Sequence, residues 1–213
     1  MTVKPDPAPL LIACALGIEH LALRSGGNGG ADGPVTVLRT GMGPRAAERS
    51  VTRALGDPAF AHAAVLATGF CAGLAPGMHP GDLVVAEETR DPRGTTPCEG
   101  TDLLVKELVR VLPGRTVHTG PLTGSDHVIR GQERSELLAT GAIAVDMESA
   151  ATLLSAVRTG PRPVAAVRVV VDAPEHELVR IGTLRGGISA FRVLRAVLPV
   201  FFEWHRSLLL PRR

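Results

Sequence analysis

The chain has 213 residues, 45% apolar and 21% charged, the balance of a globular protein of about one domain rather than of a disordered segment. Lys and Arg total 23 against 21 Asp and Glu, and a formal charge of +2 excludes a nucleic-acid binder that works by bulk charge. With five Phe, one Trp and no Tyr, a base-stacking platform for single strands is excluded as well.

In chain order, a short apolar run at 10–14 reads as a buried strand. It is followed by a Gly-rich loop at 25–34 and a second strand at 35–38. Helical spacing runs over 44–55, where Pro44 suits a first turn. Strands are predicted at 63–68 and 83–86, then an irregular stretch at 89–101 rich in Pro and Gly. Helices are predicted at 102–112 and 133–138, a strand at 142–145, and a helix at 148–158 closed by Gly160 and Pro161. A Val-rich strand at 164–171 and a last helix at 188–210 complete the order. Strands alternating with helices predict a single α/β domain over 1–213 around a buried sheet, with ligands bound beyond the carboxyl ends of its strands.

Cys14, Cys71 and Cys98 are too few and too scattered for a disulfide framework or a zinc cluster, and read as reduced thiols of a cytoplasmic protein. No apolar run reaches the ~18 residues of a membrane span, and no signal-peptide pattern opens the chain. The stretch 191–213 mixes Phe201, Phe202, Trp204 and Leu208 to Leu210 with five arginines. It reads as an amphipathic helix, kinked at Pro199, that either packs on the sheet or lies on an anionic membrane surface.

Unusual chemistry gathers at four strand ends. They are LIACALGIE ending at Glu19, TGMG at 40–43, TGFCAGL at 68–74, and VDMESAA at 145–151 with RVVVDA at 168–173. Asp172 follows three valines; burial there would keep its carboxyl protonated as an acid, although an Asp in this position also reads as a helix N-cap. Taken together and in this order, with PGD at 80–82, these segments resemble the nucleoside phosphorylase superfamily, in particular its methylthioadenosine/S-adenosylhomocysteine nucleosidase branch.

That resemblance implies a three-layer α/β/α sandwich with a mixed, partly barrel-like central sheet. It implies no cofactor, no metal, a purine nucleoside as the small-molecule partner, and a homo-oligomer, with a dimer favoured. Asp172 falls on the general acid that serves purine N7, and Glu19 on the carboxylate that orients the attacking water. Both carry alternatives, Glu19 that of an ordinary surface charge. Glu148 falls on the acceptor of the ribose hydroxyls and Met147 on the thioether beside the sugar; the turn at Gly43 and the residues Phe70, Val128 and Ile129 complete the implied substrate site. Phosphorylases place an arginine and a serine where Ala67 and Phe70 stand here, which disfavours phosphate as nucleophile and keeps phosphorolysis as the alternative, with Arg39, Arg45 or Arg168 either replacing the anion ligands or, the more usual role, solvating a face or bridging carboxylates. Val171 and Val128 stand where the nucleosidases carry a serine and a base-covering aromatic, which implies a more aliphatic pocket. The segments LIACALGIE, GFCAGL and VDMESAA further resemble the hopanoid-associated subgroup, which implies adenosylhopane as substrate. Methylthioadenosine, S-adenosylhomocysteine and futalosine are the other nucleosides the resemblance allows, and a non-catalytic nucleoside binder or a membrane adaptor are the readings outside enzymology.

Overall fold

The computed structural model describes residues 7–27, 30–173 and 184–209. Eight strands form one mixed sheet: β1 (Leu10–Cys14), β2 (Val35–Arg39), β3 (Ala64–Gly73), β4 (Leu83–Asp91), β5 (Gly94–Pro97), β6 (Val117–Gly124), β7 (Ala144–Asp146) and β8 (Val164–Asp172). β1 lies parallel between β2 and β3. β3 then pairs with β8, β8 with β4, β4 with β6, β6 with β7, and β7 back with β3, so five strands close into a ring. β1 and β2 extend from one side of this ring, and β5 hangs on β4 as a hairpin.

Strand parity sorts the core into two layers. Leu10, Ile12, Leu66, Val85, Val167 and Val169 face one side, where they meet α1 (Gly17–Ser25), α3 (Thr101–Val111), α6 (Leu184–Ala196) and α7 (Leu198–Leu208). Leu11, Val65, Val84, Ala166 and Val170 face the other, against α2 (Pro44–Leu55) and α5 (Ser149–Arg158). This is the α/β/α arrangement that buries both faces of a sheet and makes its strands read as continuous apolar runs. A short helix, α4 (Gln132–Ala139), packs Leu137 and Leu138 against a third cluster that contains Ile129 and Val145.

Two sequence expectations change here. The irregular stretch 89–101 is mostly sheet: β4 runs to Asp91 and turns back as β5, with the turn made at Pro92 and Arg93. The predicted helix over 188–210 is two helices, α6 and α7, because Pro199 occupies the first turn of α7 instead of kinking one continuous rod. Of the two readings of the C-terminal stretch, packing on the sheet is the one its aromatic residues show. Phe201 and Trp204 are fully buried and Phe202 nearly so, and the Trp204 indole N–H donates to the Glu99 carbonyl at 2.8 Å. Each satisfies more surface inside than an interfacial helix would. Leu210, Arg212 and Arg213 lie outside the described residues. No helix among the described residues is long and apolar enough to cross a membrane.

Candidate active site

β3 changes partners midway. Its first half pairs with β1 as far as Ala67, its end pairs with β7 from Ala72, and residues between them keep only β8 on one side. The gap is filled by a side chain. Glu19, third residue of α1 and 2% exposed, accepts the Phe70 N–H with Oε1 at 2.9 Å. Its Oε2 accepts the N–H groups of Ala15 and Leu16 at 2.9 and 2.7 Å, so one carboxyl caps its own helix and bridges the sheet. The reading of Glu19 as an ordinary surface charge is therefore corrected: it is buried and accepts three backbone N–H groups.

Gly69 makes this approach feasible. Its φ is +133°, and a Cβ there would lie 2.5 Å from Glu19 Oε1 and 2.6 Å from Arg168 Nη1. Arg168, from β8, is 1% exposed; it pairs with Asp146 at 2.6 Å and donates to the Ser149 hydroxyl and the Thr68 carbonyl at 2.8 and 2.9 Å. The guanidinium thus bridges buried groups, the carboxylate-bridging reading of this arginine, and serving phosphate instead would strand the buried charge of Asp146.

The VDMESAA segment divides its work by residue. Asp146 at the end of β7 accepts the N–H groups of Glu148 and Ser149 at 3.2 and 3.0 Å and the Ser149 hydroxyl at 2.5 Å, which satisfies the first orphan donors of α5. Sequence reasoning assigned Asp146 no role, although an Asp three residues before a helical Ser is a capping signal. Glu148 is 8% exposed and accepts the Gly43 N–H at 2.8 Å. Burial pushes its carboxyl above the ordinary value against the opposing pull of Arg168. Gly43, with φ +88°, is the residue that opens α2, so Glu148 sits at the positive end of that helix.

These groups surround a cavity of about 280 Å³ lined by Glu19, Phe70, Val128, Ile129, Met147, Glu148 and Asp172, with Leu16 and Met42 at its rim. Every predicted site residue except Gly43 lines it, and Gly43 touches it through Glu148. Val128 is 62% exposed at the mouth, whereas Ile129 is buried. Asp172, the last residue of β8, departs from expectation. Its surroundings are not wholly apolar, because Arg134 of α4 forms an ion pair and hydrogen bond with its Oδ2. The three valines before it fix its backbone, but a helix distant in sequence supplies its counter-charge. Ala67 is fully buried, and Arg39 and Arg45 are exposed. Among the described residues no cluster of three or more His, Cys, Asp and Glu side chains could hold a metal.

A second cavity, of about 460 Å³, adjoins the first and shares His127, Ile129 and Met147 with it. Pro44, Pro92, Leu137, Ala150 and Ala151 give it mostly apolar walls, and Arg45 and Arg93 stand at its edge.

The sequence pattern of the phosphorylase superfamily matches residues 27–198. Among curated proteins, none matches the chain in sequence. Solved structures do match in fold. The 5′-methylthioadenosine/S-adenosylhomocysteine nucleosidase from Neisseria meningitidis, in complex with methylthio-immucillin-A, superposes with a TM-score of 0.74 at 18% identity over 94% of this chain and 99% of that one. The S-adenosylhomocysteine nucleosidase from Streptococcus pyogenes gives 0.75 at 19% over 94% and 98%. The futalosine hydrolase of Helicobacter pylori gives 0.71 at 17% over 95% and 98%.

Proposed function

Because this chain belongs to the phosphorylase superfamily, we propose that its smaller cavity is the active site of a cytoplasmic, single-domain purine nucleosidase. The enzyme uses water to cleave the N-glycosidic bond of a 5′-modified adenosine and releases adenine. The observation that carries this reading is the convergence of three carboxyl groups, Glu19, Glu148 and Asp172, from separate elements on one small cavity.

Each has a distinct task. Glu148 accepts from the ribose hydroxyls, and Met147 packs its thioether on the sugar face. Phe70, Val128 and Ile129 give the base aliphatic and aromatic walls. As the bond breaks, positive charge grows on the ribose and negative charge on the base; Asp172 supplies a proton at purine N7, so the base leaves neutral. Glu19, held by three amides, orients the water that attacks the anomeric carbon and receives its proton. Phosphate is the disfavoured nucleophile, since the buried guanidinium of Arg168 is already committed to Asp146.

The larger cavity supports a bulky, apolar 5′ substituent, because it continues from Met147, the residue beside the sugar. Adenosylhopane is the substrate we propose. Leu16, Met42 and Val128 at the mouth, with Ile18 and Leu21 nearby on α1, are exposed apolar residues that support a second copy of the chain closing the site as a homodimer.

The test is adenine release from adenosylhopane, methylthioadenosine and futalosine with and without phosphate. Equal turnover in both buffers is expected, with adenosylhopane the fastest substrate. Asp172→Asn is expected to lower turnover by about 10²–10⁴-fold while nucleoside binding persists. Turnover only with phosphate would install phosphorolysis, and a variant within about tenfold of the parent would remove Asp172 as the acid.

A further inference from the structure

Arg134 belongs to none of the motifs. It sits in the first turn of α4, a helix whose sequence, QERSELLA, is dominated by solvated side chains, and yet it is only 5% exposed. One nitrogen, Nη1, donates to the Gly73 carbonyl at 3.4 Å and Nη2 reaches Asp172 Oδ2; Nε is buried without a hydrogen-bond partner. A buried ion pair with an unsatisfied N–H is a costly way to hold a helix down, since a well-packed apolar pair does so at equal or lower free energy. Arg134 does not line the cavity. It stands behind the carboxyl that does.

Resting on the nucleosidase reading above, we propose that Arg134 is a positioning residue for the acid. It fixes the Asp172 carboxyl from behind, so that the carboxyl is held in one orientation toward the cavity and the departing base. Among the described residues that line or adjoin this end of the cavity, Arg168, four residues earlier on β8, is paired with Asp146, and His127 stands at the cavity's edge between Asp126 and Glu133 at 2.7 and 2.9 Å. Arg134 is the cation that reaches the Asp172 carboxyl from α4.

The same turn of α4 carries Glu133, which holds His127, two residues from Ile129. One short helix thus contacts both the acid and the segment that walls the base.

The experiment reads adenine release and KM in variants of Arg134, each first shown by circular dichroism to keep the parental fold. In Arg134→Gln, which can still donate to the Gly73 carbonyl, kcat is expected to fall about tenfold or more and KM to stay within about twofold, because Arg134 does not touch substrate. Arg134→Lys, which keeps the charge, is expected to restore most of kcat. A folded Arg134→Gln or Arg134→Met with parental kcat would overturn the proposal, whatever its effect on melting temperature. A parent protein that releases no adenine would remove the nucleosidase reading itself, whereas an active parent with an unchanged Arg134→Gln removes only the role of Arg134.

Discussion

The two ends of the cavity are built by different means. At one end, Glu19 and Glu148 are held by main-chain amides: those of Ala15, Leu16 and Phe70 for the first, and that of Gly43 for the second. At the other, Asp172 is held by a side chain, Arg134, beside a loop whose Val128 and His127 are exposed. Amides fixed by strands and helix ends cannot change rotamer, so the end proposed for water and sugar is preformed. The end proposed for the base rests on a side-chain pair, whose geometry depends on the packing of α4.

The largest expected effect comes from the rigid end. Glu19→Gln is expected to reduce adenine release by about 10²–10⁴-fold, because an amide cannot accept the water's proton. It also turns an N–H₂ toward backbone donors that need an acceptor, so its melting temperature is expected to fall too. Activity within tenfold of the parent would move water activation elsewhere.

Gly69→Ala tests the same end without touching a reacting group. A methyl 2.5 Å from Glu19 Oε1 and 2.6 Å from Arg168 Nη1, on a backbone at φ +133°, must displace both. A loss of about 1–3 kcal/mol in stability is expected, read by denaturant titration, together with a fall in kcat of tenfold or more. Parental stability would mean that the gap in β3 is looser than its geometry.

Glu148→Gln separates binding from folding. On the proposed reading it accepts charge-assisted hydrogen bonds from the ribose, worth about 1.5–3 kcal/mol, so KM is expected to rise about tenfold to a hundredfold. Stability is expected to move the other way. A carboxyl whose folded pKa lies above its unfolded one holds more protons in the folded state, so its contribution falls as pH rises through that window and is adverse at neutrality. The neutral amide removes this penalty while still accepting from Gly43. Melting temperature is expected to exceed the parent's at pH 7, and the gap to close on acidification.

Trp204→Ala has the smallest expected effect on the chemistry. Truncating a fully buried indole costs about 3–5 kcal/mol of stability, while KM and kcat of the surviving folded fraction are expected to stay near the parent's. Salt-sensitive sedimentation of the parent with anionic liposomes, lost in this variant, would return the residue to a membrane surface.

Much of this was legible in the sequence. Buried strands declare themselves as apolar runs: β1 was read residue for residue, and so was α2, because Pro44 marks its start and Gly56 follows its end. β6 escaped, since VHTGPLTG carries Gly120 and Pro121 where the strand bends; Ile143 occupies the space a Cβ on Gly120 would need. β5, only four residues of Gly, Thr and Pro, has no periodicity to detect, and α1 is only nine residues long and runs into the Gly-rich loop, with Glu19 spent as its cap. In the site, motif residues were legible because their chemistry is concentrated at strand ends. Arg134 was not, because a lone arginine in a charged helix looks like solvated surface until the tertiary fold turns it inward. The apolar C-terminal stretch left two readings open, because composition alone cannot tell a helix that packs on a sheet from one that lies on lipid.

The closed ring of β3, β8, β4, β6 and β7 has a kinetic corollary. Its pairings join segments far apart along the chain, such as Ala67 with Ala166 and Val84 with Arg168. Long-range pairing of this kind places folding in the slow range of millisecond to second rates, because each loop must close before its contacts reward it. β8 supplies both Arg168 and Asp172, and its partners β3 and β4 come from distant segments of the chain. The proposed site is therefore expected to form only with the closed ring, and activity is expected to return on refolding no sooner than the ring closes.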